Sequence, residues 1–421
     1  MRVLGMMSGT SLDAIDVALV EFTRDAEEPS LLRARPVHVG ERPWPGEARD
    51  ALRAALPPAP SDAATWSRLH AAVGDAFATA AAEVLSAQGG ADLVATHGQT
   101  LYHDVQDGRV ASTLQIGDPS RIVAATGTPV IHDLRSADVA AGGQGAPLVP
   151  ILDQLLLGTD PDERTAVLNI GGISNVSVVG GSENGRGVES GPAPGAVIAG
   201  DLGPGNCLLD AAVHAATGEP ADLDARIART GTVDHAALAT LLTDPFYARP
   251  LPRSTGREHF DGQYVRGMLE AEGAGGIDAL SLPDLLATLT ELTTVTIARA
   301  IGELGASRVV ASGGGIRNPL LRERLAAQLA PVPLLDADDL GIPADGKEAL
   351  LIALLGYLSA HGLPGTLSRA DGTSHTGARS PVVLGSLTPP HALRGRQYAS
   401  NAPDSVPVGR LEITDPAGTA R

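Results

Sequence analysis

Two glycine-rich turns, each set between apolar runs, hold the residues best suited to chemistry in this chain. The first reads Leu4-Gly5-Met6-Met7-Ser8-Gly9-Thr10-Ser11-Leu12-Asp13-Ala14-Ile15-Asp16 and the second Leu168-Asn169-Ile170-Gly171-Gly172-Ile173-Ser174-Asn175-Val176. Glycine carries no Cβ and tolerates positive φ, so such a turn lets backbone N–H groups close on an anion. Two copies point to a duplicated domain that grips a polyphosphate from both sides. Hydroxyls and amides of the first turn suit phosphate oxygens, and Asp13 or Asp16 could hold Mg²⁺ through water. The bland alternative is a polar β-turn with Asp13 bonded to its own backbone.

Further candidates surround these turns. Strand-like Arg308–Ala311 runs into Ser312-Gly313-Gly314-Gly315, a flat backbone fit to lie under an adenine and ribose. Asp201, beside the Gly203-Pro204-Gly205-Asn206 turn, is either a general base presented to a substrate or a carboxylate complementing the dipole of the helix that follows. Thr96-His97-Gly98-Gln99-Thr100 is dense in groups that could bond sugar hydroxyls or amides, or could satisfy loop backbone. Arg135 stands between Asp133 and Asp138, as a structural ion pair or as a bidentate anion site. His97, His103 and His132 lack metal-ligand spacing and no Cys accompanies them, so no zinc site is expected and no metal-ligating residue is assigned. Gly341-Ile342-Pro343-Ala344-Asp345-Gly346-Lys347 has the spacing of a P-loop, but Glu348 replaces the Ser/Thr that would bind Mg²⁺. A loop capping the next helix is the better reading.

The elements that must position these groups alternate between strand and helix. A hairpin is expected over 1–22, an Ala-rich helix over 62–87, strands at Asp92–Thr96 and Thr128–His132, and a helix at Ile151–Leu157. The second hairpin spans 166–179, helices follow at 207–217, 234–242 and 282–304, and the chain continues through strand Arg308–Ala311, a helix near Pro319–Gln328 and an apolar helix Glu348–Ser359. Such alternation favours α/β layers.

The chain has 421 residues, enough for two domains, and 43% of them are hydrophobic while 3% are aromatic. Its net charge of −18 offers no basic field for a nucleic-acid backbone. Of its 31 basic residues all but Lys347 are arginine, so an anionic substrate must be held by local arginines and backbone amides. No stretch reads as a membrane span or signal peptide, and the one cysteine, Cys207, fits a reducing cytoplasm.

Taken in order, Met7–Asp13, Thr96–Thr100, Asp138–Pro150 (with Ala140-Ala141-Gly142-Gly143-Gln144-Gly145-Ala146-Pro147-Leu148-Val149-Pro150), Leu168–Asn175 and Gly203–Asn206 resemble the anhydro-N-acetylmuramic acid kinase family, over residues from about 3 to 388. The resemblance implies two duplicated ribonuclease-H-like domains of the actin/Hsp70/sugar-kinase fold with an interdomain cleft. It places an N-terminal domain at 1–150, a C-terminal domain at 151–388 and a disordered tail at 389–421. It also implies hydrolytic phosphorylation of 1,6-anhydro-N-acetylmuramic acid by ATP with Mg²⁺, giving N-acetylmuramic acid 6-phosphate and ADP in cell-wall recycling, by a cytoplasmic homodimer.

By the same resemblance Asp201 is the catalytic base, and Thr96, His97, Gln99, Arg135 and Glu348 contact the sugar, with Arg135 a candidate for its lactyl carboxylate. Nucleotide would be held by Gly9, Thr10, Ser11, Asp13 and Asp16, by Gly171, Gly172, Ser174 and Asn175, by Gly203, Gly205 and Asn206, and by Gly313, Gly314 and Gly315. Ser254-Thr255-Gly256-Arg257-Glu258 matches a family stretch without an assigned role. The chain departs from the family pattern at Ala14, where Gly is usual, and at Arg253, where Lys is usual. Two other readings remain open: an ordinary hydroxyl kinase of the same fold, in which Asp201 deprotonates a substrate hydroxyl, and an ATP-driven filament or chaperone-like module.

Overall fold

The computed structural model describes residues 1–9, 12–56, 61–106, 109–158, 160, 162–181, 198–251, 253, 255–256, 259–271, 280–340, 346–369, 371–390 and 407–414. Thr10, Ser11, Ser254, Arg257, Glu258 and most of the P-loop-like stretch, 341–345, lie outside the described residues.

In chain order the strands are β1 (Arg2–Ser8), β2 (Ala14–Arg24), β3 (Leu31–Pro43), β4 (Leu93–Gln106), β5 (Arg109–Ile116), β6 (Val130–His132) and β7 (Arg164–Ile170). They continue with β8 (Ile173–Gly180), β9 (Ile198–Pro204), β10 (Arg308–Ser312), β11 (Leu334–Asp336), β12 (Ser386–Thr388) and β13 (Arg410–Ile413). Two sheets result, one ordered β12-β6-β4-β1-β2-β3-β13 with β5 on β4, the other β11-β10-β7-β8-β9. Both contain the same five-strand core. The hairpin strands β1–β2 and β7–β8 pair antiparallel and each adds a third antiparallel strand, β3 or β9. On the other side β4 and β6, or β10 and β11, follow in parallel. This repeat of order and direction is the duplication that the paired hairpins implied.

The chain divides into a first unit, Met1–Thr159 with Gly341–Arg421, and a second, Asp160–Leu340. In the first unit both faces of the sheet are covered, which explains why Val17-Ala18-Leu19-Val20 is buried without polar alternation. Leu4, Met6, Val17 and Leu19 face Leu69, Val73, Phe77, Ala81 and Val84 of the helix Ala63–Gln88, whose spacing is helical. Val3, Ala18, Val20 and Phe22 face the helix Lys347–Ala360. That helix lies so close that a Cβ on Gly5 would stand 2.1 Å from the Ala349 carbonyl oxygen. Gly356 makes the reciprocal approach, 2.5 Å from Ala95 Cβ.

These contacts correct the expected boundaries. The helix Pro150–Leu157 buries Ile151, Leu152 and Leu155 in the first unit's core, and Lys347–Ala360 belongs to that unit rather than to the domain preceding it in sequence. Within the tail expected to be disordered, β13 pairs in parallel with β3 and buries Leu411. The strand expected at Asp92–Thr96 extends to Gln106, where β5 supplies the partner.

In the second unit the helix Leu282–Leu304 begins at the Ser281 cap and ends at Gly305, with φ 66°. It is long and apolar enough to cross a membrane, yet 72% of its apolar window is buried. Ile297, Ile301 and Leu304 pack on the sheet, while Leu285, Leu286, Leu289 and Leu292 pack on Leu208, Leu209 and Phe246.

Candidate functional site

In the first unit four of the five expected sugar residues form one buried cluster. Thr96, His97 and Gln99 lie on β4 and are 2%, 3% and 1% exposed. The Gly98 amide donates to Thr96 Oγ1 at 3.0 Å, and Gln99 Nε2 donates to the Gly9 carbonyl at 3.4 Å. That last bond ties β4 to the first glycine turn. Arg135 donates from Nε to His97 Nε2 at 2.8 Å and from Nη1 to the Gly145 carbonyl at 2.7 Å. The ion pair with Asp133 or Asp138 therefore does not form: Asp133 accepts from Ser136, and Asp138 from Gly145 N and Thr376 Oγ1.

Glu348, the fifth residue, sits in the first turn of the helix Lys347–Ala360. Burial raises its pKa, against the opposing fields of Lys347 and Arg135. Burial also lowers Arg135 to about 10, with Glu348 acting the other way, so the guanidinium stays charged at neutral pH. His97 is lowered to about 3, first by burial and then by Arg135. The residue resembling a P-loop lysine, Lys347, instead meets buried Asp153 at 2.7 Å, and Gly346 at φ 83° is the helix N-cap.

Residues 366–369 and 371–379 contribute a strap that sequence reasoning missed. Thr376 binds Asp138 at 2.6 Å, its carbonyl accepts from Gln144 N at 3.0 Å, and Arg379 N donates to the Ala141 carbonyl at 3.1 Å. His375 takes the Leu367 N–H on Nδ1 at 3.0 Å and donates from Nε2 to the Pro147 carbonyl at 2.9 Å. The strap fixes the Gly142–Pro147 loop whose carbonyl holds Arg135. Its only signal in the sequence is polar density, which does not say what it binds.

Of the first glycine turn, the Gly9 carbonyl accepts from Leu12 N at 3.3 Å, Asp13 is exposed at the bend, and Asp16 lies on β2 opposite Met7. Ser8 Oγ accepts from Trp44 Nε1 at 3.1 Å.

In the second unit the other expected nucleotide residues converge on the tip of the β7–β8 hairpin. Gly205 N donates to the Gly172 carbonyl and Asn206 N to the Gly171 carbonyl, each at 2.8 Å. Those two amides are thus bonded within the protein. Ser174 is fully buried and donates to the Gly203 carbonyl at 3.1 Å. Asn175 faces Asp201 across the β8–β9 ladder. Gly313, at φ 91°, must be glycine because a Cβ would stand 2.6 Å from Asn169 Oδ1. At Gly315 a Cβ would meet Ile170 Cγ2 at 2.2 Å. Gly314 alone of the three is exposed; a Cβ there would have Asn206 Nδ2 as its nearest neighbour, at 3.8 Å.

Asp201 lies inside β9 and not at the helix terminus; the acidic residue in the first turn of the helix Cys207–Thr217 is Asp210. Asp201 Oδ2 accepts from Thr255 N at 2.9 Å, and the Asp201 amide donates to the Arg253 carbonyl at 2.8 Å. Among the described residues no three His, Cys, Asp or Glu side chains gather as a metal site.

The repeated five-strand core, with a glycine turn at the tip of each leading hairpin, defines a duplicated α/β fold of the actin/Hsp70/sugar-kinase class. The family described as Anhydro-N-acetylmuramic acid kinase matches residues 1–390. An anhydro-N-acetylmuramic acid kinase of Streptomyces coelicolor is 46% identical over 92% of this chain and 94% of its own length. One from Rhodococcus erythropolis is 43% identical over 98% and 100%. The chain belongs to the anhydro-N-acetylmuramic acid kinase family. Among solved structures, a ligand-bound xylulose kinase from Lactobacillus acidophilus aligns with 85% of this chain and 89% of its own, at 12% identity and a TM-score of 0.43.

Proposed function

We propose that this chain phosphorylates 1,6-anhydro-N-acetylmuramic acid with ATP and water, yielding N-acetylmuramic acid 6-phosphate and ADP in recycling of cell-wall sugar. The observation that carries the reading is the family match over residues 1–390. The chemistry follows from it. Water adds to the anomeric carbon, the bond from that carbon to O6 breaks, and O6 takes the γ-phosphoryl group as its bond to the β-phosphate oxygen breaks. The water proton passes to Asp201. A general base must be ionised and held in one orientation, and the Thr255 amide on Oδ2 supports both.

The buried cluster supports an acidic amino sugar as substrate. Arg135 keeps its charge, its Nε and Nη1 are engaged by His97 and Gly145, and Nη2 is the donor we assign to the lactyl carboxylate. Glu348 and the β4 residues Thr96 and Gln99 are assigned to the sugar's polar groups. Nucleotide is assigned to Gly9 with its turn, to the β7–β8 tip and to exposed Gly314, the open glycine of its loop. Thr10, Ser11 and the Gly203, Gly205 and Asn206 turn complete that assignment.

Asp13, exposed beside Gly9, and Asp16 fit Mg²⁺, which takes one or two carboxylates, keeps several waters and bridges phosphates. When bound it would neutralise charge on the transferring phosphoryl group. A cytoplasmic homodimer is part of the proposal, and sedimentation velocity tests the dimer.

The test is sugar-dependent ADP release in ¹⁸O-labelled water, read early because the anomeric oxygen exchanges after release. Label at the anomeric position, with Asp201→Asn slower by at least about a hundredfold, is expected. Absence of sugar-dependent ADP overturns the reading.

A further inference from the structure

Arg253 is 9% exposed, and all its side-chain hydrogen bonds among the described residues go to backbone carbonyls. Nε donates to Asp201 O at 3.0 Å and Nη2 to Leu202 O at 3.4 Å. Nη1 reaches Arg249 O at 2.7 Å, Tyr247 O at 2.9 Å and Phe246 O at 3.3 Å. The guanidinium lies over the Phe246 ring, 4.6 Å from its centroid. A buried arginine with this set of partners is not arranged to bind an anion. It joins β9 to the turn at 246–249 through the two edges of one planar fork.

The backbone of the same residue completes a clamp. Asp201 N donates to Arg253 O at 2.8 Å, and two residues on, Thr255 N donates to Asp201 Oδ2 at 2.9 Å. Close approach here requires Gly200, where a Cβ would stand 3.0 Å from Arg253 O and 2.6 Å from Leu251 Cδ2. Asp201 is therefore held at amide, carbonyl and carboxylate by one segment, and the Arg253 side chain anchors that segment.

We propose that Arg253 is a positioning residue for Asp201, setting the backbone from which the carboxylate is presented; the inference rests on the reading of Asp201 as the base. A lysine, as a point donor on a flexible stem, cannot span Asp201 and the 246–249 carbonyls at once.

The test compares wild type, Arg253→Lys, Asp201→Asn and the double variant by sugar-dependent ADP release, with kcat and KM for both substrates. R253K is expected to lower kcat at least about tenfold while each KM stays within about threefold, and to change the residual rate of D201N less than about twofold. A role confined to folding would instead slow both backgrounds equally, and that result overturns the proposal. So does a rise in KM with kcat unchanged, or no change at all. If D201N keeps the wild-type kcat, the base assignment falls and this inference with it; a slow D201N beside a normal R253K overturns only this inference. Should R253K lack a cooperative thermal transition, R253Q, which keeps a planar donor, carries the same comparison.

Discussion

Arg135 and His97 meet through an Nε–H to Nε2 hydrogen bond of 2.8 Å, which makes the imidazole an acceptor on that side. The proton then sits on Nδ1, whose partner is the Gly98 carbonyl at 3.2 Å. His97 is thus a neutral prop under a charged guanidinium, and it cannot serve as a general acid at neutral pH.

This pairing makes stability pH-dependent with a definite sign. The unfolded chain takes up a proton on His97 near the ordinary value of 6.5, while the folded chain does so only near 3. Between those values the unfolded state binds more protons, so stability is fully present above 6.5 and is lost as pH falls toward 3. The slope from this one group is about 1.4 kcal/mol per pH unit. Urea unfolding at pH 7, 6 and 5 should show it, and His97→Asn, which retains an acceptor, should flatten the profile. An unchanged slope in the variant would assign the dependence to other groups.

Arg135→Lys should cut kcat/KM for the sugar about a hundredfold, equivalent to about 2.7 kcal/mol, and leave KM for ATP within about twofold. Lysine keeps the charge but not a fork that reaches His97, Gly145 and a ligand together. Steady-state kinetics with each substrate varied in turn decides it; a matching rise in KM for ATP would count against the sugar assignment.

Two glycine-to-alanine changes should move stability in opposite directions. At Gly5 the new Cβ would lie 2.1 Å from Ala349 O, within backbone that must shift, so G5A should cost about 2–4 kcal/mol. At Gly302, on the helix Leu282–Leu304, nothing lies within 4 Å, and G302A should stabilise by about 0.5–1 kcal/mol. Denaturant midpoints at a fixed slope give both values.

The Lys347–Asp153 pair at 2.7 Å is nearly out of solvent. Lys347→Met leaves a buried carboxylate without its cation and should cost about 3–5 kcal/mol. Adding Asp153→Leu removes the buried carboxylate as well and should recover most of that loss. Failure of the double variant to recover would mean that Lys347 also supports Glu348, its neighbour in the helix's first turn.

Much of the framework was legible because short-range chemistry wrote it. Apolar runs broken at Gly9 and at Gly171–Gly172 marked both hairpins, and helical spacing from Leu69 to Phe77 marked the long first-unit helix. Asp201 was visible as a carboxylate beside a glycine turn, but its place inside β9 was not. That place depends on ladder pairing with Asn175 and on Arg253, contacts that run between separate segments of chain.

Residue type and local order alone determined the two glycine turns, the alternation of strands and helices, and which polar groups stood ready for chemistry. Only the tertiary structure decided that the helix Lys347–Ala360 returns to the first sheet, that β13 adds an edge to it, and that Arg135 rests on His97 and not on Asp133 or Asp138. It likewise decided that Gly313 and Gly315 are small because Asn169 and Ile170 leave no room for a Cβ. The division has a physical cause. Turn conformation and amphipathic period are properties of neighbours in sequence, whereas a hydrogen-bond partner or a close backbone approach is set by packing between residues far apart along the chain.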